Sequence, residues 1–208
     1  MSDAGAVIAA EGLEVRYHGG PDPAVRGIDL VVRAGEGLLV TGASGSGKTS
    51  LVRSLLGLVL HQGRLEVMGG EPGAPHTRGR VGYGPQGTGF APDLRVREAA
   101  RLAAAVRGLP APRAAADEAL ERAGLGYVTD WRTRRLDAEG GRRLSLAFAI
   151  AGDPDLVVLD DAWALTDAIR EIGRARRRGA TVLVTATARA GLAPALGRSI
   201  RLVDGAIA

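Results

Sequence analysis

Gly42-Ala43-Ser44-Gly45-Ser46-Gly47-Lys48-Thr49 is the stretch on which the reading of this chain turns. It fits G-x-x-x-x-G-K-[ST], a glycine loop whose backbone N–H groups can converge on phosphate oxygens. Its flanks supply the context the motif needs. Gly37 to Thr41 reads as an apolar strand ahead of it, and from Ser50 to Leu60 apolar residues recur at helical spacing behind it. A strand, a glycine loop and a helix start bring free N–H groups and the helix dipole to one point, where an anion binds. In such a loop Lys48 reaches the outer phosphates and the Thr49 hydroxyl holds Mg²⁺. Gly42, Ser44, Gly45, Ser46, Gly47, Lys48, Thr49 and Ser50 are therefore the expected nucleotide contacts.

Composition sharpens this expectation. Of 27 basic residues Lys48 is the only lysine; the other 26 are arginine. A compact ammonium serves phosphate as a point charge, which a planar guanidinium does not reproduce. One lysine kept at this position points to a chemical requirement.

The chain has 208 residues, enough for one sizeable core or a core with a small subdomain. Its net charge is only +4, aromatic residues make up 3%, and the arginines are scattered. Nucleic-acid binding asks for a basic stripe with stacking aromatics, so no nucleic-acid partner is expected. With no cysteine, disulfides and thiolate metal sites are excluded. The N-terminus has no basic segment ahead of the short apolar run Ala6–Ala10, so no secretion signal is expected. No apolar run reaches the roughly 18 residues of a membrane helix, Arg53 interrupting the best candidate. The expectation is a cytoplasmic chain that reaches a membrane through a partner.

Along the chain, strands are expected at Leu13–Tyr17, Val25–Val32, Arg64–Met68 and Arg80–Tyr83. Helices follow at Val96–Arg107 and Arg113–Ala123, parted by Gly108-Leu109-Pro110, then a polar stretch Thr129–Arg135 and a helix from Arg142 to Ala151. Asp155 to Asp161 is an apolar strand ending in two carboxylates. A helix Asp167–Arg178 and strands Ala180–Thr185 and Ser199–Val203 close the chain, with a turn at Asp204-Gly205. Apolar strands alternating with helices predict an α/β fold with a buried, mostly parallel sheet around the phosphate loop. The alternating opening strands predict a small antiparallel sheet beside it, and the helix-only stretch 87–140 an inserted helical subdomain within a single domain 1–208.

In this order the parts resemble the nucleotide-binding domain of ABC transporters, over essentially the whole chain. The resemblance makes 42–49 the Walker A loop and Leu156-Val157-Val158-Leu159-Asp160 the Walker B strand, with Asp160 holding Mg²⁺ through water. It places Tyr17 where an aromatic ring stacks on adenine. It makes Gln86 the glutamine that touches Mg²⁺ and the attacking water and senses the membrane domain. It implies ATP and Mg²⁺ as cofactors, a membrane-spanning transporter subunit as partner, and a second ATP-binding domain, identical or not, docked head to tail. The stretches Asp93–Glu98 and Arg142–Ala147 resemble the branch serving drug and polymer exporters.

Three departures from the family pattern bear on mechanism. The residue after Asp160 is Asp161 where the family carries a catalytic glutamate, and Ala162-Trp163 stands for the usual Pro-Thr. Aspartate is one methylene shorter, and misplacement of about an ångström can cost ~10²-fold in rate. Ala186 occupies the place of the switch histidine; the three histidines are His18, His61 and His76, all far upstream. The signature L-S-G-G-Q/M reads Leu136-Asp137-Ala138-Glu139-Gly140 without a gap, or puts Gly140-Gly141 on the glycine pair with a two-residue slide. Either way an acidic residue faces the partner's γ-phosphate. The expectation is an ATP-binding transporter subunit with impaired hydrolysis, in which Asp161, Gln86 and Lys48 carry what catalysis remains. The alternative is an ATP-bound pseudoenzyme that regulates or scaffolds a transporter complex.

Overall fold

Two sheets divide the strands of the computed structural model, which describes residues 5–19, 22–86, 90–162, 166–187 and 191–208. The smaller is antiparallel. In it β1 (Ala6–Val15) lies between β2 (Val25–Arg33) and β4 (Gln62–Val67), with Ile8, Ala10, Leu13 and Val15 facing the core. The larger holds β3 (Gly37–Thr41), β5 (Val81–Gly84), β6 (Leu156–Leu159), β7 (Thr181–Ala186), β8 (Gly197–Val203) and β9 (Ala206–Ile207). Its order is β5-β6-β7-β3-β8-β9; the first five are parallel and β9 folds back antiparallel on β8. The α/β fold with a parallel core sheet and an antiparallel sheet beside it is as the sequence predicts.

Every residue of β3, β6 and β7 is buried, as strands covered on both faces must be. Successive side chains take opposite faces. Leu38, Val40, Val158 and Leu183 join the small sheet and α1 (Lys48–Leu55) in one core cluster. Leu39, Val157, Leu159 and Val184 join the other, with α2 (Val96–Val106), α3 (Pro112–Arg122), α4 (Ala138–Ile150) and α5 (Thr166–Arg177).

Some departures from the sequence expectation each have a local reason. β1 begins at Ala6 because Ile8 finds partners on both sides, Val32 and Val67; the apolar run Ala6–Ala10 is strand, and Tyr17 falls beyond its end. α1 stops at Leu55 rather than near Leu60. Gly57 turns away at φ +67°, and a Cβ there would meet the Pro72 carbonyl at 2.5 Å. The polar stretch after Ala123 carries two 3₁₀ turns, Gly126–Val128 and Thr133–Arg135. Finally, α4 starts four residues before Arg142, because Asp137 caps it: its carboxylate accepts from the Gly140 N–H at 2.7 Å. Among the described residues no helix is long and apolar enough to cross a membrane.

Candidate functional site

The parallel strands β3, β6 and β7 deliver their C-terminal ends to one edge, and the site assembles there. From β3 the chain enters the glycine loop. Two of its glycines are required by space: a Cβ on Gly42 would fall on Ser46 and the Leu202 carbonyl, and one on Gly47 on the Ala24 carbonyl. Gly47 also takes φ +98°. Helix α1 then begins at Lys48 with no side chain capping it, so its first N–H groups remain open to an anion.

Ser44, Gly45, Gly47, Lys48, Thr49 and Ser50 line a cavity of about 190 Å³ with Gln86, Asp160, Asp161, Ala24 and Thr187. Nine of the sequence-predicted contacts thus meet in one place. Gly42 and Ser46 lie just behind the wall: Lys48 Nζ donates to the carbonyls of Gly42 (2.8 Å) and Ala43 (2.7 Å) and to Ser46 Oγ (3.4 Å). Tyr17 does not line this cavity and is 40% exposed. Burial lowers the Lys48 ammonium from its ordinary range, and the charges of Asp161 and Asp160 work against that shift.

The far wall comes from the end of β6. Asp160 is 4% exposed. Its Oδ1 accepts from Thr185 Oγ1 at 2.7 Å and from Thr49 Oγ1 at 3.3 Å. Its Oδ2 is fully buried and has no partner among the described residues. A buried carboxylate oxygen is costly unless it meets a cation or a donor. That orphaned oxygen beside a threonine hydroxyl fits Mg²⁺, which takes oxygen ligands, needs only one or two carboxylates and draws the rest from water and phosphate. Among the described residues no group of three or more His, Cys, Asp and Glu could form a self-sufficient cage. Asp161 stands at φ +57°. Its two oxygens accept from Gln86 Nε2 (3.2 Å) and Thr187 Oγ1 (3.4 Å), so Gln86 rests on Asp161 rather than on Asp160. Ser145 of α4 donates to the Pro85 carbonyl and so anchors the approach to Gln86.

Ala186 is 3% exposed and packs in the core as the last residue of β7. The polar groups this strand end offers the site are instead Thr185 and Thr187, neither evident from sequence. The signal available was a threonine within an otherwise apolar buried strand, which must find a partner for its hydroxyl. At the start of α4, Asp137 is the cap and Gly140 and Gly141 lie inside the first turn; Glu139 pairs with Arg143 at 2.8 Å. The position favoured by a capping serine is thus filled by aspartate. Trp163 lies outside the described residues.

A parallel sheet with a glycine loop at its strand ends, an uncapped helix start and a buried unpartnered carboxylate defines a P-loop nucleotide-binding protein. Residues 25–164 match the sequence model of the ABC transporter family. The ATP-binding protein LolD 1 of the lipoprotein-releasing system of Caulobacter vibrioides is 33% identical, over 96% of this chain and 93% of that protein. The Nod factor export ATP-binding protein I of Ralstonia nicotianae is 36% identical over 74% of this chain, and the zinc import ATP-binding protein ZnuC of Paracoccus denitrificans 38% over 74%. The chain spans only 49% and 57% of those two. Among solved structures, the dimeric ATP-binding cassette MJ0796 bound to ADP and Pi superposes with a TM-score of 0.85 over 96% of both chains, at 22% identity. The chain belongs to the ABC transporter family, as an ATP-binding domain of it.

Proposed function

We propose that this chain is the Mg-ATP-binding subunit of a membrane transporter, working as an exporter, and that it hydrolyses ATP slowly. One observation carries the proposal: a phosphate cavity complete in Lys48, Thr49 and an Asp160 oxygen left free, lined on its far side by Asp161, while Ala186 at the adjoining strand end packs in the core. Lys48 would hold the outer phosphates, Thr49 and Asp160 the Mg²⁺, and Gln86 and Asp161 the water side of the cavity. Bound Mg²⁺ would neutralise charge on the phosphates. Tyr17, exposed beyond the end of β1, would serve as the adenine platform.

We read residues 1–208 as one domain in which 87–140 forms the helical subdomain. That subdomain and the Gln86 loop would dock the membrane subunit. Beside Gln86, Tyr83, Pro85, Phe90, Leu94 and Phe148 form an apolar groove of about 420 Å³, flanked by Leu102 and Val106, which are 55% and 74% exposed. A surface of this kind suits the apolar face of a short helix. Docking there would hold the chain at the cytoplasmic face of a membrane, with a second ATP-binding domain completing each nucleotide site; the cassette named above is likewise dimeric. The direction of transport rests on the Asp93–Glu98 and Arg142–Ala147 stretches. Titration calorimetry tests the binding half: Mg-ATP should bind the purified chain, and Lys48→Ala should weaken it ~10- to 100-fold, the worth of a hydrogen bond to a charged group. A wild-type chain that binds no Mg-ATP at millimolar concentration would overturn the proposal.

A further inference from the structure

We propose that Thr185 is a positioning residue that sets both carboxylates of the phosphate cavity, a role that rests on the Mg-nucleotide reading above. Thr185 is the fifth residue of β7 and has no exposed surface. The ladder between β6 and β7 ends at Leu159–Val184, so residues 160–162 leave the sheet alongside Thr185. There one threonine holds all three. Its hydroxyl donates to Asp160 Oδ1 at 2.7 Å, the same oxygen accepts the Asp161 N–H at 2.8 Å, and its carbonyl accepts the Ala162 N–H at 2.9 Å.

The directions of these bonds follow from the donor inventory. A hydroxyl has one proton and two lone pairs. The amide of Asp161 can only donate, so it must meet a lone pair, and the carboxylate of Asp160 can only accept, so it must receive the proton. Oδ1 of Asp160 is thereby committed to Thr185 and Thr49, and the other oxygen is left bare for a cation. The bond to the Asp161 amide also fixes that residue at φ +57°, the conformation that turns its carboxylate toward Gln86 and Thr187. Valine has the same shape but cannot do either: it would free Asp160 to rotate and leave the part-buried Asp161 N–H without that partner.

The same strand supplies a matched control. Thr181 is 1% exposed, and its hydroxyl donates to the Arg33 carbonyl at 3.3 Å and accepts the Gly35 N–H at 3.1 Å, away from the cavity. Thr181→Val therefore measures what loss of a buried β7 hydroxyl does to the fold alone.

The experiment reads ATP affinity of the full chain by calorimetry, with Mg²⁺ and with EDTA, for wild type, Thr185→Val, Thr185→Ser and Thr181→Val. Wild type should bind ATP more tightly with Mg²⁺. Thr185→Val should lose about 10- to 100-fold of that tightening, the usual cost of removing a group that orients a metal ligand, while its affinity in EDTA stays within about two-fold. Thr185→Ser should recover the Mg²⁺ effect and Thr181→Val should keep it. If Thr185→Val does not fold, Thr185→Cys, with its weak donor, carries the same expectation. The proposal fails if a folded Thr185→Val or Thr185→Cys keeps the wild-type Mg²⁺ effect, or if Thr181→Val loses as much. Wild type binding no ATP in either condition would remove the nucleotide reading beneath it as well.

Discussion

Asp161 sits in the left-handed region of backbone space, at φ +57°, where aspartate and asparagine are at home and longer side chains are not. Restoring a glutamate there is therefore not free. Asp161→Glu should lower stability by about 1 kcal/mol, read as a lower urea midpoint, with ATP affinity unchanged. Position 186 is tighter. Its methyl is 3% exposed in the core, so Ala186→His must push neighbours aside at about 1–3 kcal/mol. For a chain of this size that is a fall of roughly 2–12 °C in melting temperature. Alanine at 186 is thus part of the packing, and an imidazole there is accommodated only at that cost. The loop and cavity wall from Gly42 to Ser50 were legible because their geometry is local: one strand, one loop and one helix start, all within a short span. Thr185 and Thr187 were not. A threonine at a strand end reads as any β-branched strand residue until β6 is known to lie alongside β7. Tyr17 shows the converse: its order ahead of the loop was legible, its absence from the lining of the phosphate cavity was not.

At the level of elements, α4 and its neighbours decide how the helical part is held. Asp137 satisfies the Gly140 N–H, so Asp137→Ala should cost about 0.5–2 kcal/mol, whereas Asp137→Ser, which also caps, should leave the melting temperature nearly unchanged while removing the charge. Behind this cap an ionic network joins three helices. Arg143 of α4 pairs with Glu139 and Asp167 and donates to the Ala123 carbonyl. Arg122 at the end of α3 reaches Glu171 of α5 at 2.5 Å and Asp153 at 3.0 Å. The Glu171 side chain is 3% exposed and that of Arg122 12%. Removing only Arg122 takes both short bonds from a buried carboxylate and leaves it Arg170 Nε at 3.4 Å. Arg122→Met should thus cost about 3–5 kcal/mol in chemical denaturation, and pairing it with Glu171→Met should recover much of that loss. A double variant as unstable as the single one would show that the pair is not the source. The existence of α2 and α3 was legible from their periodicity. The start of α4 was not, because Gly140-Gly141 reads as a loop until Asp137 is seen to cap the turn that contains them.

For the whole molecule, the two faces of the core sheet divide the labour. One face, with the small sheet and α1, holds the nucleotide loop; the other carries the helices and the apolar groove. Leu102→Glu with Val106→Glu should abolish recruitment to membranes containing the cognate subunit, measured by co-sedimentation, and leave ATP affinity intact, because neither side chain touches the cavity. Joint loss of both properties would count against the groove as a separate docking surface. The central claim, that this chain holds Mg-ATP and turns it over slowly, is tested most directly by phosphate release from the purified chain at saturating Mg-ATP. Wild type should run close to the Lys48→Ala background. A variant combining Asp161→Glu, Ala186→His and a signature rebuilt as Leu-Ser-Gly-Gly-Gln over residues 136–140 should exceed wild type ~10²-fold or more, and exceed what either the catalytic or the signature change gives alone. Brisk release by the unmodified chain, abolished by Asp161→Asn, would contradict the account and show that Asp161 serves as the catalytic carboxylate as it stands.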